Sequence, residues 1–141
     1  MGDHAAFAEL LCALAKERAR ALVVGWLAKR LHGESTEAYD HVLWYDPDDV
    51  NARAVYRALA RVGAPLDGVE VPDLADVDYA FRYGDGDGEI ELVASLEGTT
   101  FADAWPHRLE TRWRDVPICV IGRDALHAHE HAMRLRASPQ K

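Results

Sequence analysis

Val23-Val24-Gly25-Trp26-Leu27-Ala28-Lys29-Arg30-Leu31-His32-Gly33-Glu34-Ser35-Thr36-Glu37-Ala38-Tyr39-Asp40 is the stretch on which the reading of this chain turns. The apolar run Leu22 to Val24 predicts a short buried strand. Gly25 then permits a tight turn into a helix, and Gly33 stops that helix. Tyr39 to Tyr45, rich in aromatic and branched residues, reads as the next strand. Side chains alternate along a strand, so Asp40, Val42 and Trp44 share one face of it.

Working outward, Phe7, Leu10, Leu11 and Leu14 recur at helical spacing and predict an amphipathic helix over about residues 4 to 19. Downstream, Asp46-Pro47 predicts a helix start, with aspartate as cap and proline at the first helical position. Val55, Ala58, Leu59 and Val62 give that helix its core stripe. Gly63 to Pro72 is a turn-rich connection. Tyr79 to Tyr83 and Glu89 to Ala94 read as strands joined by a tight turn at Gly84-Asp85-Gly86-Asp87-Gly88. That loop looks like a calcium loop, but Ile90 stands where the sixth position requires glycine. Leu109 to Trp113 and Pro117 to Ile121 form a hairpin around Arg114-Asp115, and a last helix runs from Arg123 to Ala137.

In order and spacing, over about 110 residues, these segments resemble the small bacterial nucleotidyltransferases, the minimal and AbiEii-type members of the polymerase-beta-like superfamily. In that family a strand ends in Gly-Gly, a short helix follows, and an Arg-x-Thr-x-Asp-x-Asp segment leads into the next strand. Here Gly25 keeps the first glycine and Trp26 replaces the second. Thr36 stands for the arginine, Ala38 for the threonine, Asp40 for the first metal-binding aspartate and Val42 for the second. Glu89-Ile90-Glu91-Leu92 is similar to the family's Arg-Ile-Asp-Leu strand, whose aspartate completes the metal triad. Ser95 to Trp105 and Val120 to Leu126 are similar to its connecting segments. The resemblance implies an α+β nucleotidyltransferase-like fold, a mixed β-sheet flanked by helices, in a single domain over residues 1–141.

It also implies a degenerate site. Nucleotidyl transfer in this family needs three carboxylates to hold two magnesium ions. Only Asp40 and Glu91 remain as anions, so the cofactor left open is one divalent metal ion on that pair. The family's cations are replaced at Thr36, Glu89 and Glu130, which would set a triphosphate against carboxylates. Trp26 puts an indole where the second glycine lets phosphate approach the backbone, so Gly25 and Trp26 mark an altered cofactor-binding turn.

On the last helix Ala125, Ala128, Ala132, Met133 and Leu135 define an apolar arc that contains His129. This histidine belongs either to the core or, with Glu130, to the cleft. In the cleft, Asp40, Glu91, His129 and Glu130 would form a carboxylate and imidazole pocket suited to general acid/base work. His127, His131 and Arg134 fall opposite the arc, towards solvent. His127-Ala128-His129-Glu130-His131 matches the string of the inverted zinc peptidases, but those helical angles argue against that chemistry. An adventitious metal affinity of the i, i+4 pair His127 and His131 remains.

Composition sets the outer bounds. The 141 residues are 49% hydrophobic and 28% charged, as in an ordinary globular protein, and the net charge is -8. That charge disfavours a sequence-independent grip on nucleic acid and an anionic membrane surface. Glu9, Lys16 and Glu17 on the first helix exclude a signal peptide or membrane span there, so a cytoplasmic location is the default. Cys12 and Cys119 read as two small buried or half-buried thiols. Trp44, Trp105 and Trp113 read as core or interface anchors. The chain is therefore expected to be a non-catalytic binding or interaction module. Its partners would be another protein, a second copy in a homodimer, or a small-molecule ligand. A repurposed enzyme is the alternative, and residual metal-dependent nucleotidyl transfer the minority reading.

Overall fold

The computed structural model describes residues 4–36 and 40–137, so the expectations for Ala38 and for Tyr39 as a strand start lie outside the described residues. Helix α1 (Ala5–Lys16) buries the predicted stripe of Phe7, Leu10, Leu11 and Leu14. It ends before residue 19 because Arg18 turns left-handed, at φ 58°, and Ala19 N–H bonds back to the Leu14 carbonyl. Strand β1 (Ala21–Val24), helix α2 (Gly25–Leu31) and strand β2 (His41–Tyr45) follow. Helix α3 (Asp49–Arg61), the short α4 (Val71–Leu74), strands β3 (Ala80–Tyr83) and β4 (Ile90–Val93), and the short α5 (Phe101–Ala104) come next. The hairpin β5 (Leu109–Trp113) and β6 (Val116–Val120) leads into α6 (Arg123–Ala137).

The six strands form one mixed sheet in the order β3-β4-β2-β1-β6-β5. Strand β1 runs antiparallel to β2 and parallel to β6, and β2 runs parallel to β4 with Val42 beside Glu91. Alternation on β2 sorts the two faces. His41 stacks on Phe7 of α1 at 4.6 Å, and the Tyr45 hydroxyl donates to the Leu74 carbonyl at the end of α4. Trp44 instead meets Phe101 of α5 edge-on at 5.2 Å. One sheet face therefore carries α1, and the other carries the cleft. No helix among the described residues is long and apolar enough to cross a membrane.

Four local expectations need correction. The cap of α3 is Asp48, whose carboxylate accepts from the Val50 and Asn51 amides. Asp46 instead pairs with Arg20 at 2.6 Å, and its carbonyl accepts from the side chain of buried Asn51. The connection after Gly63 gives way at Val71 to α4, which runs past Pro72 to Leu74 and carries a reciprocal box between Glu70 and Asp73. The β3–β4 loop is no tight turn, since Tyr83 pairs with Ile90 and a 3-10 turn, Gly86–Gly88, fills the gap. The Arg114-Asp115 turn is the tight one: it joins Trp113 to Val116 with both residues at positive φ, as a type I′ turn requires. Finally, Met133 and Leu135 are exposed. The inward stripe of α6 is Leu126, with Ala125, His129, Glu130 and Ala132 half-buried.

Candidate functional site

The site begins at the start of α2. Val24 occupies its cap position and has no side-chain acceptor to offer. Asp40, just ahead of β2, supplies one: its Oδ1 accepts from the Trp26 amide at 3.1 Å. A carboxylate there also faces the positive end of the helix backbone. Gly25 is needed at the same place on two counts. Its φ is +72°, and a Cβ would lie 2.8 Å from Asp40 Oδ2. The residue that the family frame assigns to metal thus has a structural role in this chain.

Trp26 is 6% exposed and extends into an aromatic cluster beneath α1. Its ring stacks on His4 at 4.4 Å and meets His41 and Trp113 edge-on. His41 itself is buried. Its Nδ1–H donates to the Glu89 carbonyl at 3.3 Å, which leaves Nε2 to accept from His4 Nδ1–H at 2.7 Å. Nothing in the sequence reading pointed to this imidazole pair, although His41 alternates with Asp40 and must face the other side of the sheet.

On the sheet face opposite α1 a cleft of about 260 Å³ stays open. Gly25, Trp26, Asp40, His129 and Glu130 all border it, together with Lys29, Thr36, Val42 and Leu126. Five of the six candidate site residues are thereby brought together. Glu91 is the sixth. It shares a neighbouring depression with Asp40, His41, Asp87 and Glu89, and Val42, its register partner, borders both. Arg82 on β3 holds the Glu91 carboxylate at 3.1 Å.

The last helix closes the cleft. His129 Nδ1–H donates to the Glu97 carbonyl at 2.9 Å, so its ring is positioned by the loop after β4. Glu130 meets Lys29 Nζ at 2.7 Å. The Glu130 hydrogen bond holds the Lys29 ammonium above the usual lysine pKa. Lys29 lies one helical turn beyond Gly25, at i+4 on α2, and that spacing was the signal that could have revealed it. The cation at this wall of the cleft thus comes from α2, facing the Glu130 carboxylate on α6. His127 is exposed as expected, yet its Nε2 donates to Glu34 Oε2 at 2.6 Å. That contact holds the Glu34 carboxyl below the usual carboxylate range.

Among solved structures, the crystal structure of a candidate nucleotidyltransferase from Thermotoga maritima matches with a TM-score of 0.59. The match covers 92% of this chain and 82% of that one at 15% identity. The chain has a nucleotidyltransferase fold. No protein-family model matches the sequence, and no curated protein sequence does. Within the nucleotidyltransferase frame the strand register puts Val42 and Glu91 side by side on one face, with Asp40 just ahead of β2. An aliphatic side chain thus stands beside Glu91 where the family's second aspartate would be.

Proposed function

We propose that this protein is a nucleotidyltransferase-fold binding module that does not carry out nucleotidyl transfer, and that its cleft receives a small neutral or cationic molecule. The observation that carries this reading is the state of the two surviving carboxylates. Asp40 accepts from the start of α2, Glu91 is paired with Arg82, and Val42 beside Glu91 supplies no third carboxylate. Two carboxylates do not fit a pair of magnesium ions, which need several hard oxygen ligands. On the far wall Glu130 supplies an anion where a triphosphate needs a cation, and Lys29 is already neutralised by it. The cleft's volume is below the usual range for ligand pockets and suits a compact molecule.

Calorimetry with each of the four magnesium nucleoside triphosphates tests the reading. No micromolar binding is expected, and micromolar affinity for any one of them would overturn it. Thermal-shift titration with small amines checks the ligand class. Amines should stabilise the protein, and Asp40→Asn should abolish that stabilisation. A second reading, one divalent ion held by Asp40 and Glu91, is favoured by their shared depression. The second oxygen of each carboxylate, Asp40 Oδ2 and Glu91 Oε1, would be the ligand, since the Trp26 amide and Arg82 engage Oδ1 and Oε2.

A further inference from the structure

We infer that Glu34, His127 and Glu130 form a site for one divalent transition ion of the zinc class, at the rim of the cleft and distinct from the Asp40 and Glu91 position. The three side chains each present a ligand atom, an imidazole nitrogen or a carboxylate oxygen, and these atoms lie within 4.8 Å of one another. They come from two elements that backbone-level ties hold in place. Glu34 is fixed just past the end of α2, where Gly33 is left-handed at φ +79° and Glu34 N–H bonds to the Lys29 carbonyl at 2.8 Å. His127 and Glu130 sit at i and i+3 on α6, on neighbouring points of one helix face. The end of α2 is tied to the start of α6 by Arg123, which donates to the His32 carbonyl at 3.0 Å. His32 in turn donates to the Ile121 carbonyl at 2.7 Å.

The donor chemistry selects the ion. One imidazole and two carboxylates are three ligands of the types zinc accepts, the number an open site uses, with a fourth position for water. Imidazole suits zinc, copper, iron and nickel, whereas magnesium prefers oxygen ligands and retains its own waters. Two carboxylates and a neutral imidazole also match the charge of a dication. At present Lys29 supplies that countercharge at Glu130, so the ion and the ammonium compete for one carboxylate. An arriving ion would release Lys29 to the cleft it already borders, where Asp40 is the next carboxylate. The alternative is an ordinary helix-surface pair of His127 and His131, which would need neither glutamate.

The test is a zinc titration of the full chain against a chromogenic chelator in a non-coordinating buffer. The wild type should take up one equivalent, with no competition from magnesium. Glu34→Gln and His127→Ala should each weaken binding about 10-fold or more, and His131→Ala should change it less than about twofold. Lys29→Met should tighten binding, because the competing cation is gone; that direction cannot arise from a damaged fold. The inference is overturned if the wild type takes up no zinc, if Glu34→Gln binds like wild type while His131→Ala does not, or if Lys29→Met fails to tighten binding. The inference does not rest on the proposed ligand class of the cleft. The probe is the metal alone, so a negative result leaves the nucleotide titrations to stand or fall by themselves.

Discussion

Replacing Gly25 by alanine would place a Cβ 2.8 Å from Asp40 Oδ2 on a residue held at φ +72°. Two costs follow, and they can be separated. The left-handed backbone costs a residue with a Cβ about 1–2 kcal/mol whatever surrounds it. The close contact is relieved by rotating the carboxylate, the flexible partner, away from the Trp26 amide; that forfeits an acceptor worth about 1 kcal/mol at a helix start. Gly25→Ala alone should therefore cost about 2–3 kcal/mol and Asp40→Ala alone about 1 kcal/mol, because Asp40 is exposed. In the double variant the carboxylate is already absent, so only the backbone cost is added. The total should fall short of the sum by about 1 kcal/mol. Urea denaturation of the four proteins measures this coupling. Strict additivity, to within about 0.3 kcal/mol, would refute the claim that Asp40 caps α2 through the space Gly25 leaves.

Gly98 offers a parallel case: at φ +90° its Cβ would lie 2.6 Å from the Ala128 carbonyl of α6. Gly98→Ala should cost about 2–3 kcal/mol in urea unfolding, since neither the helix backbone nor the turn has a flexible end to move. The ion pair between Lys29 and Glu130 should stabilise the protein fully below the ordinary lysine value of 10.5, then lose that contribution as pH rises through the raised folded value. Melting temperatures of wild type and Glu130→Gln should accordingly differ at neutral pH and converge in the alkaline range. Burial pushes the Cys119 thiol up. In a Cys12→Ser background a thiol reagent should therefore modify Cys119 more slowly than free cysteine at pH 8, and the rate should climb with pH.

Much of the fold was legible because it rests on local signals. The apolar run before Gly25, the Arg114-Asp115 turn and the α6 boundaries each depend on residues close together in sequence. The cap of α3 was misplaced for a tertiary reason: buried Asn51 ties Asp46 and Arg20 together, and Asp48 is left to cap the helix. The two short helices went unread, α5 inside a connecting segment and α4 at the end of one, since four residues carry too little periodicity to register. At the site, the resemblance led to Asp40, Gly25 and Trp26, and helical angles led to His129. Lys29, Glu34 and His41 were missed because each gains its meaning from a partner far along the chain: Glu130, His127 and His4 respectively. Charge inventory along a motif records which cations are lost. It does not record a cation supplied from the opposite wall, as Lys29 is.

The central claim, that Asp40 and Glu91 serve the fold and not a magnesium centre, is tested most directly by carbon NMR of the two side-chain carboxyls during a titration with magnesium. The account predicts that neither resonance responds saturably, and that Asp40→Ala shifts the Trp26 amide while Arg82→Ala shifts the Glu91 carboxyl. A common, saturable magnesium response of Asp40 and Glu91 would contradict it.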